Sequence, residues 1–74
     1  MNSKKLKSIR VERGRTQAEL ARSIHRSTDL YSKKEKGLVA FSTSEMKAVA
    51  TELEMTFHDF NLIFFDGELP FGNF

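Results

Sequence analysis

Apolar residues recur along the chain at spacings that predict short amphipathic helices joined by polar connections. The clearest case is residues 46–53, where Met46, Val49, Ala50 and Leu53 follow the i, i+3, i+4, i+7 spacing of one helix face. Shorter versions of the same pattern predict four more helices, at about residues 4–13, 17–24, 28–36 and 57–65. The pattern therefore predicts an all-α fold, a compact five-helix domain.

Polar residues stand where these helices are expected to begin. Thr16 followed by Glu19, and Thr56 followed by Asp59, have the spacing of a capping box, in which two side chains satisfy backbone groups at the helix start. Gly14 is expected to end the first helix. The remaining predicted N-caps are Ser3, Ser27 and either Ser42 or Ser44.

One domain, residues 1–65, is expected to hold all five helices, and residues 66–74 are expected to form an irregular apolar tail. In the last helix, Phe57, Phe60 and Phe64 are predicted to share the buried face. The predicted core comprises Leu6, Ile9, Leu20, Ala21, Ile24, Tyr31, Met46, Val49, Ala50, Leu53, Met55, Phe57 and Phe60.

Aromatic residues concentrate at the end of the chain. Six of the seven phenylalanines follow residue 56, which is more than so small a core is expected to hold, and surplus apolar side chains usually mark an interface. The predicted surface for a second protein chain comprises Leu62, Ile63, Phe65, Phe71 and Phe74. Alternatively, the two tail phenylalanines fold back on their own domain.

Charge is distributed unevenly along the chain. Residues 1–37 carry eleven Lys/Arg and four Asp/Glu, a net charge of +7, whereas residues 38–74 carry one Lys and six Asp/Glu, a net charge of −5. This asymmetry predicts that the first half binds a polyanion, with an ordinary solvated charged surface as the alternative. The chain has no cysteine and no long apolar run, so we predict a cytoplasmic protein without disulfides or a membrane span.

Residues 16–37 combine two short predicted helices across a tight connection, which is the helix-turn-helix arrangement that sets its second helix into the DNA major groove. A helical wheel places Leu30, Tyr31, Lys34 and Glu35 inward on that second helix. The outward side carries Thr28, Asp29, Ser32, Lys33 and Lys36.

The outward residues nearest the start of this helix have side chains that suit base recognition. Lys33 can donate to guanine, Asp29 can accept from cytosine, and Thr28 can contact a thymine methyl group, with Ser32 beside them. For Asp29 an equal alternative is a favourable interaction with the helix dipole alone. Arg26 and Lys36 are predicted to contact phosphates.

A family resemblance follows from these positions. The spaced pattern Leu6, Arg10, Gly14, Thr16, Gln17, Leu20, Ala21, Ser27, Ser32, Glu35 and Gly37 resembles the Cro/repressor-type (XRE-like) helix-turn-helix family of small phage and bacterial transcription regulators. The resemblance implies that Gln17 contacts the DNA backbone and supports the recognition helix, and that Arg10 pairs with Glu35. The predicted phosphate contacts are thus Gln17, Arg26, Ser27 and Lys36.

Four residues depart from the family pattern. His25 stands where a glycine is usual in the turn, and Arg15 replaces a common leucine. Arg26 and Lys34 stand where apolar residues are usual. We expect the stem of Lys34 to lie along the core and its ammonium group to reach outward to solvent.

The predicted function is sequence-specific DNA binding by a transcription regulator of Cro or repressor type, acting on double-stranded DNA as a homodimer or with a heterologous repressor protein. The alternative is an antirepressor, a protein-interaction module that keeps the helix-turn-helix fold but acts by binding a partner repressor. No enzyme motif is present, because His25 and His58 are isolated and no metal-binding or phosphate-loop spacing occurs. We predict no cofactor, no metal and no small-molecule ligand.

Overall fold

The computed structural model of the chain describes residues 1–70, and this part of the protein is all-α, as predicted. The helices are α1 (Ser3–Glu12), α2 (Gln17–Ser23), α3 (Thr28–Glu35), α4 (Thr43–Glu52) and α5 (Phe57–Phe65). Helix α2 packs against α3 and α4, whereas α1 contacts α3 and α5. Residues 66–70, the described part of the predicted tail, contain no helix.

Each helix begins after a polar N-cap whose side chain accepts a hydrogen bond from the first turn. The capping boxes predicted for α2 and α5 are both formed, and Ser42 with Glu45 forms a third at the start of α4. At α1 the predicted cap is wrong by one residue. Asn2, not Ser3, accepts from the backbone of Lys5 at 3.0 Å. Its own N–H donates to Ile63 of α5 at 2.7 Å, which fixes Asn2 just before the helix.

The core contains an aromatic residue that the helical periodicity does not reveal. Phe41 lies in the loop between α3 and α4, where no repeat applies, yet only 6% of it is exposed. Its ring makes edge contacts with Tyr31 of α3 and Phe64 of α5, at centroid distances of 6.0 and 5.6 Å. Phe41 thus joins the third helix to the fifth. The fully or nearly fully buried apolar residues are Leu6, Ile9, Leu20, Ala21, Ile24, Tyr31, Phe41, Val49, Leu53, Ile63 and Phe64.

Helix α5 presents a different face to the core from the one predicted. Ile63, predicted to face a partner, is fully buried, whereas Phe57, predicted to be core, is 39% exposed. The difference arises because α5 packs through Phe60, Ile63 and Phe64, while Phe57 is only the first residue of the helix. Ile63 is therefore corrected to a core residue.

The other residues of the predicted partner surface are divided. Leu62 is half-buried, and Phe65 is half-buried and packs against the core. Phe71 and Phe74 lie outside the described residues. The predicted core residues Met46, Ala50, Met55 and Phe60 are half-buried.

A buried amide fixes the chain after α5. Asn61 is fully buried, and its side chain both donates to the carbonyl of Leu69 at 3.1 Å and accepts from the Leu69 N–H at 2.9 Å. Its backbone carbonyl accepts from Gly67 at 3.0 Å. The segment after Asp66 therefore turns back onto α5.

The connection between α2 and α3 contains a strained residue. His25 has φ of 57°, a left-handed conformation that glycine adopts without steric cost and that costs other residues about 1–2 kcal/mol. His25 lies immediately after Ile24, the C-cap of α2, so the tight turn depends on it.

We expect His25→Gly to raise the free energy of unfolding by about 1 kcal/mol, because the strain outweighs the extra chain entropy of glycine. Urea denaturation of both proteins measures the change. The matched control is Ala18→Gly, which puts glycine at an exposed position within α2 and should destabilise instead. A loss of stability in His25→Gly would show that its side chain contributes more than its backbone costs.

Candidate nucleic-acid interface

The outward side of α3 carries the residues predicted to contact bases. Thr28, Asp29 and Lys33 are exposed, and Ser32 is half-exposed. Lys33 and Asp29 form an ion pair of 3.3 Å along the helix, with 53% and 82% of their side chains exposed. Exposed pairs of this kind contribute little, roughly 0.3–0.5 kcal/mol, so either side chain can leave the pair for another partner at small cost.

The inward side of α3 ends in a carboxylate shared by three helices. Glu35 accepts from Nε of Arg10 at 2.9 and 3.2 Å and from Nε2 of Gln17 at 2.8 Å. Nη1 of the same Arg10 donates to the carbonyl of Arg15 at 2.9 Å. The ion pair is nearly closed to solvent, with 11% of the Arg10 side chain and 4% of the Glu35 side chain exposed. The predicted Arg10–Glu35 pair is formed, and Gln17 supports α3 through it.

Tyr31 lies beside this carboxylate in the core. Burial raises the pKa of the Tyr31 hydroxyl, and the nearby Glu35 charge raises it further against the opposing effect of Arg10. Among residues 1–70 this hydroxyl has no hydrogen-bond partner. Tyr31 therefore stays neutral and serves α3 as an apolar anchor.

A second buried carboxylate holds the other side of α3. Glu45 accepts from Nζ of Lys34 at 2.9 Å, from Nε of Arg26 at 3.1 Å and from the backbone of Ser42 at 2.9 Å. Nζ of Lys34 also donates to the carbonyl of Ala40 at 2.8 Å. We call Arg26, Lys34 and Glu45 the charged triad. The triad links the turn before α3 and the last turn of α3 to the start of α4.

The structure corrects the expectation for Lys34. Its ammonium group was expected to reach solvent, but only 7% of the side chain is exposed and the group points inward to Glu45. Burial is possible because a carboxylate and a carbonyl together replace the water around the ammonium group. Sequence reasoning missed Glu45. The signal that could have found it is the capping-box spacing of Ser42 and Glu45 together with an inward lysine that needs an acid.

Burial alone would raise the pKa of Glu45, but its hydrogen bonds reverse that effect. The bonds from Lys34, the Ser42 backbone and Arg26, together with the Lys34 charge, lower the pKa of Glu45 from 4.5 to about 2. The carboxylate is thus ionised throughout the neutral range, and the triad keeps both of its cations paired.

The predicted phosphate contacts fall into two groups at opposite ends of α3. Ser27 and Arg26 lie at its start, where the Ser27 hydroxyl caps the helix and 53% of the Arg26 side chain is exposed. Gln17 and Lys36 lie at its far end, Gln17 half-buried and Lys36 exposed. The two groups thus flank the residues predicted to contact bases.

Comparisons of this chain with protein-family models, with curated proteins and with solved structures return no match. Among the helices of residues 1–70, none combines the length and the apolar character needed to cross a membrane. The function is therefore inferred from the geometry and charges of the chain itself.

We expect Arg10→Ala and Glu35→Ala each to lower the free energy of unfolding by about 3 kcal/mol, because each leaves a buried charge without its partner. The double replacement should cost clearly less than the sum of the two. A double-mutant cycle by urea denaturation measures the coupling. As a control, the same cycle on the exposed Asp29 and Lys33 should give coupling below about 0.5 kcal/mol. Additivity at Arg10 and Glu35 would contradict a coupled pair.

We expect Glu45 to contribute to stability in a pH-dependent way. Because its pKa of about 2 in the folded protein lies below its ordinary 4.5, the contribution is complete above about pH 4.5 and is lost as the pH falls towards 2. Glu45→Gln should remove this part of the pH dependence, on the order of 2 kcal/mol, and Glu68→Gln, an exposed acid outside the triad, should not. Urea denaturation between pH 2 and 7 measures it. Parallel pH profiles for wild type and Glu45→Gln would exclude this role.

Proposed function

We propose that the protein is a sequence-specific DNA-binding transcription regulator of Cro or repressor type, in which α2 and α3 act as a helix-turn-helix and α3 enters the major groove. The observation that carries the proposal is the outward face of α3. Its exposed residues have side chains that suit base edges, and its inward face is fixed by two buried carboxylates, Glu35 and Glu45.

The charge distribution supports the same proposal. The +7 half of the chain contains all of α3 together with α1 and α2, whereas the −5 half contains α4 and α5. A phosphate backbone is attracted to the first half and repelled by the second, so approach in one orientation is favoured. The acidic helices then lie away from the duplex.

Individual roles follow from the position of each residue on α3. Lys33 donates to guanine O6 or N7, Asp29 accepts from cytosine N4, and Thr28 contacts a thymine methyl group, with Ser32 adjacent. The phosphate contacts proposed on either side are Gln17, Arg26, Ser27 and Lys36. A second copy of the chain would read a second half-site about one helical turn away.

A second candidate function, binding to a partner repressor as an antirepressor, is favoured by one surface. Leu38 and Val39, in the loop after α3, are 72% and 38% exposed. Val39, Phe41 and Phe64 line an apolar cleft of about 200 Å³ beside them. Adjacent exposed apolar residues next to a cleft suit a protein partner better than a phosphate backbone. The same surface would also serve a homodimer.

We expect duplex binding that depends strongly on salt. Selection from a random duplex library gives the preferred site, and fluorescence anisotropy over a salt series gives the affinities. If about four to six phosphates are neutralised, log K falls against log salt with a slope of about −4 to −5. Lys33→Ala should relax the preference at one base pair by about 1–3 kcal/mol. Lys47→Ala, at an exposed position of α4, should leave that preference unchanged.

Two results would contradict the DNA-binding proposal. One is a flat salt response, and the other is equal affinity for every duplex sequence in both the wild type and Lys33→Ala. If the chain binds no duplex but light scattering shows a stable complex with a repressor protein, the antirepressor function replaces the DNA-binding proposal. The full chain is used in every arm.

A further inference from the structure

A cleft of about 180 Å³ lies between the start of α1, the start of α2 and the end of α3. Two of its residues, Lys4 and Lys7, stand three apart on α1 and so share one face of that helix. We call it the lysine cleft. It is lined by Ser3, Lys4, Lys7, Gln17, Glu35 and Lys36.

The lysines of this cleft differ from most other cations of the basic half in having no partner. Arg10, Arg26 and Lys34 are bound by buried carboxylates, and Lys33 is paired with Asp29. By contrast, the ammonium groups of Lys4, Lys7 and Lys36 make no hydrogen bond or ion pair within residues 1–70. Three lysines without a partner among residues 1–70 therefore line one cleft.

The one carboxylate in the lysine cleft does not cancel these charges. Glu35 is already neutralised by Arg10, which it binds at 2.9 Å, and it also accepts from Gln17. The cleft thus keeps a net positive charge of about three from its lysines, with no acid competing for them. An anion is the chemical class of ligand that such a site attracts.

Close to the cleft, the start of α1 approaches Gly37, which lies two residues after the end of α3. Gly37 has φ of +84°, and a Cβ atom built there would lie 3.3 Å from Oγ of Ser3. The backbone conformation at this point favours glycine, and a Cβ atom would also crowd the Ser3 hydroxyl. The approach brings the first turn of α1, with Lys4, next to Lys36.

Lys36 connects the cleft to the proposed DNA face. It follows α3 directly, as the C-cap residue, and it belongs to the outward set of that helix. An anionic polymer lying along α3 would therefore pass the opening of the lysine cleft. The phosphodiester backbone of DNA is such a polymer, because it is both negatively charged and extended.

We propose that the lysine cleft binds a phosphate of the DNA backbone beyond the end of α3, through Lys4, Lys7 and Lys36. This inference rests on the proposed function and adds α1 to the interface. Because these lysines release no protein partner on binding, they contribute more of the salt dependence than Arg26, which must share its guanidinium group with Glu45.

The test uses the full chain and its selected duplex in a salt series followed by fluorescence anisotropy. The double variant Lys4→Gln with Lys7→Gln should reduce the slope of log K against log salt by about 1, because one phosphate contact is lost, and this corresponds to roughly tenfold weaker binding at low salt. The matched control is Lys5→Gln with Lys47→Gln. It removes the same charge from lysines of α1 and α4 that lie outside the cleft. Its slope should change by clearly less.

A second arm locates the phosphate. Neutral methylphosphonate is substituted at one backbone position at a time, and the position at which wild type loses affinity but Lys4→Gln with Lys7→Gln does not marks the group in the cleft. Urea denaturation checks that both double variants fold.

The outcomes separate the two proposals. If wild type binds no duplex, the proposed function and the lysine cleft both fail. Suppose that wild type binds its site, and that the two double variants either keep the wild-type slope of log K against log salt or reduce it by the same amount. DNA binding then stands, and the specific role of the cleft is wrong. If the slope falls only in Lys4→Gln with Lys7→Gln, and one methylphosphonate position becomes silent in that variant, the cleft binds that phosphate.

Discussion

The carboxylate of Glu35 is the point on which the arrangement of the first three helices depends. It binds Arg10 of α1 and Gln17 of α2 from the last residue of α3, so three helices meet at two oxygen atoms. Such a buried pair adds little net stability once the desolvation of both ions is counted, but its directional bonds specify one geometry. These hydrogen bonds thus help to set the angle of α3 relative to α1 and α2.

The composition of α3 explains why charged contacts attach this helix to the rest of the fold. Of its eight residues only Tyr31 is a buried apolar side chain, and Leu30 is half-buried. The helix is therefore attached at Tyr31, at Glu35 and through the charged triad of Arg26, Lys34 and Glu45. Arg26 and Lys34 depart from the resembled family pattern together, and the shared carboxylate accounts for both.

Local signals in the sequence predicted the parts of the fold that depend on a few neighbouring residues. The capping box of Thr16 and Glu19 and the outward set of α3 are examples, because each is decided within one or two helical turns. The facing of Ile63 was not predictable in this way. Six of the nine residues of α5 are apolar and they lie on more than one face, so the buried face is chosen by contacts with α1 and the core.

The candidate site also combines contacts that the sequence predicted with contacts that depend on the tertiary fold. The pairing of Arg10 with Glu35 followed from the family resemblance, since nothing local relates two residues 25 positions apart. The bond between Lys34 and Glu45 joins α3 to α4 through the tertiary fold. The lysine cleft likewise depends on how α1 lies against the end of α3, which periodicity within a single helix does not show.

The Glu45 side chain makes two structural contacts, and together they couple the opening of α4 to the opening of α3. Its side chain closes the capping box of α4 on Ser42, and the same oxygen holds the ammonium group of Lys34. Fraying of the first turn of α4 therefore releases the last turn of α3, and loosening of α3 exposes a charge that α4 holds. The two helices form one cooperative opening unit. The face that α3 presents thus keeps its shape only while the start of a helix on the acidic half of the chain stays closed.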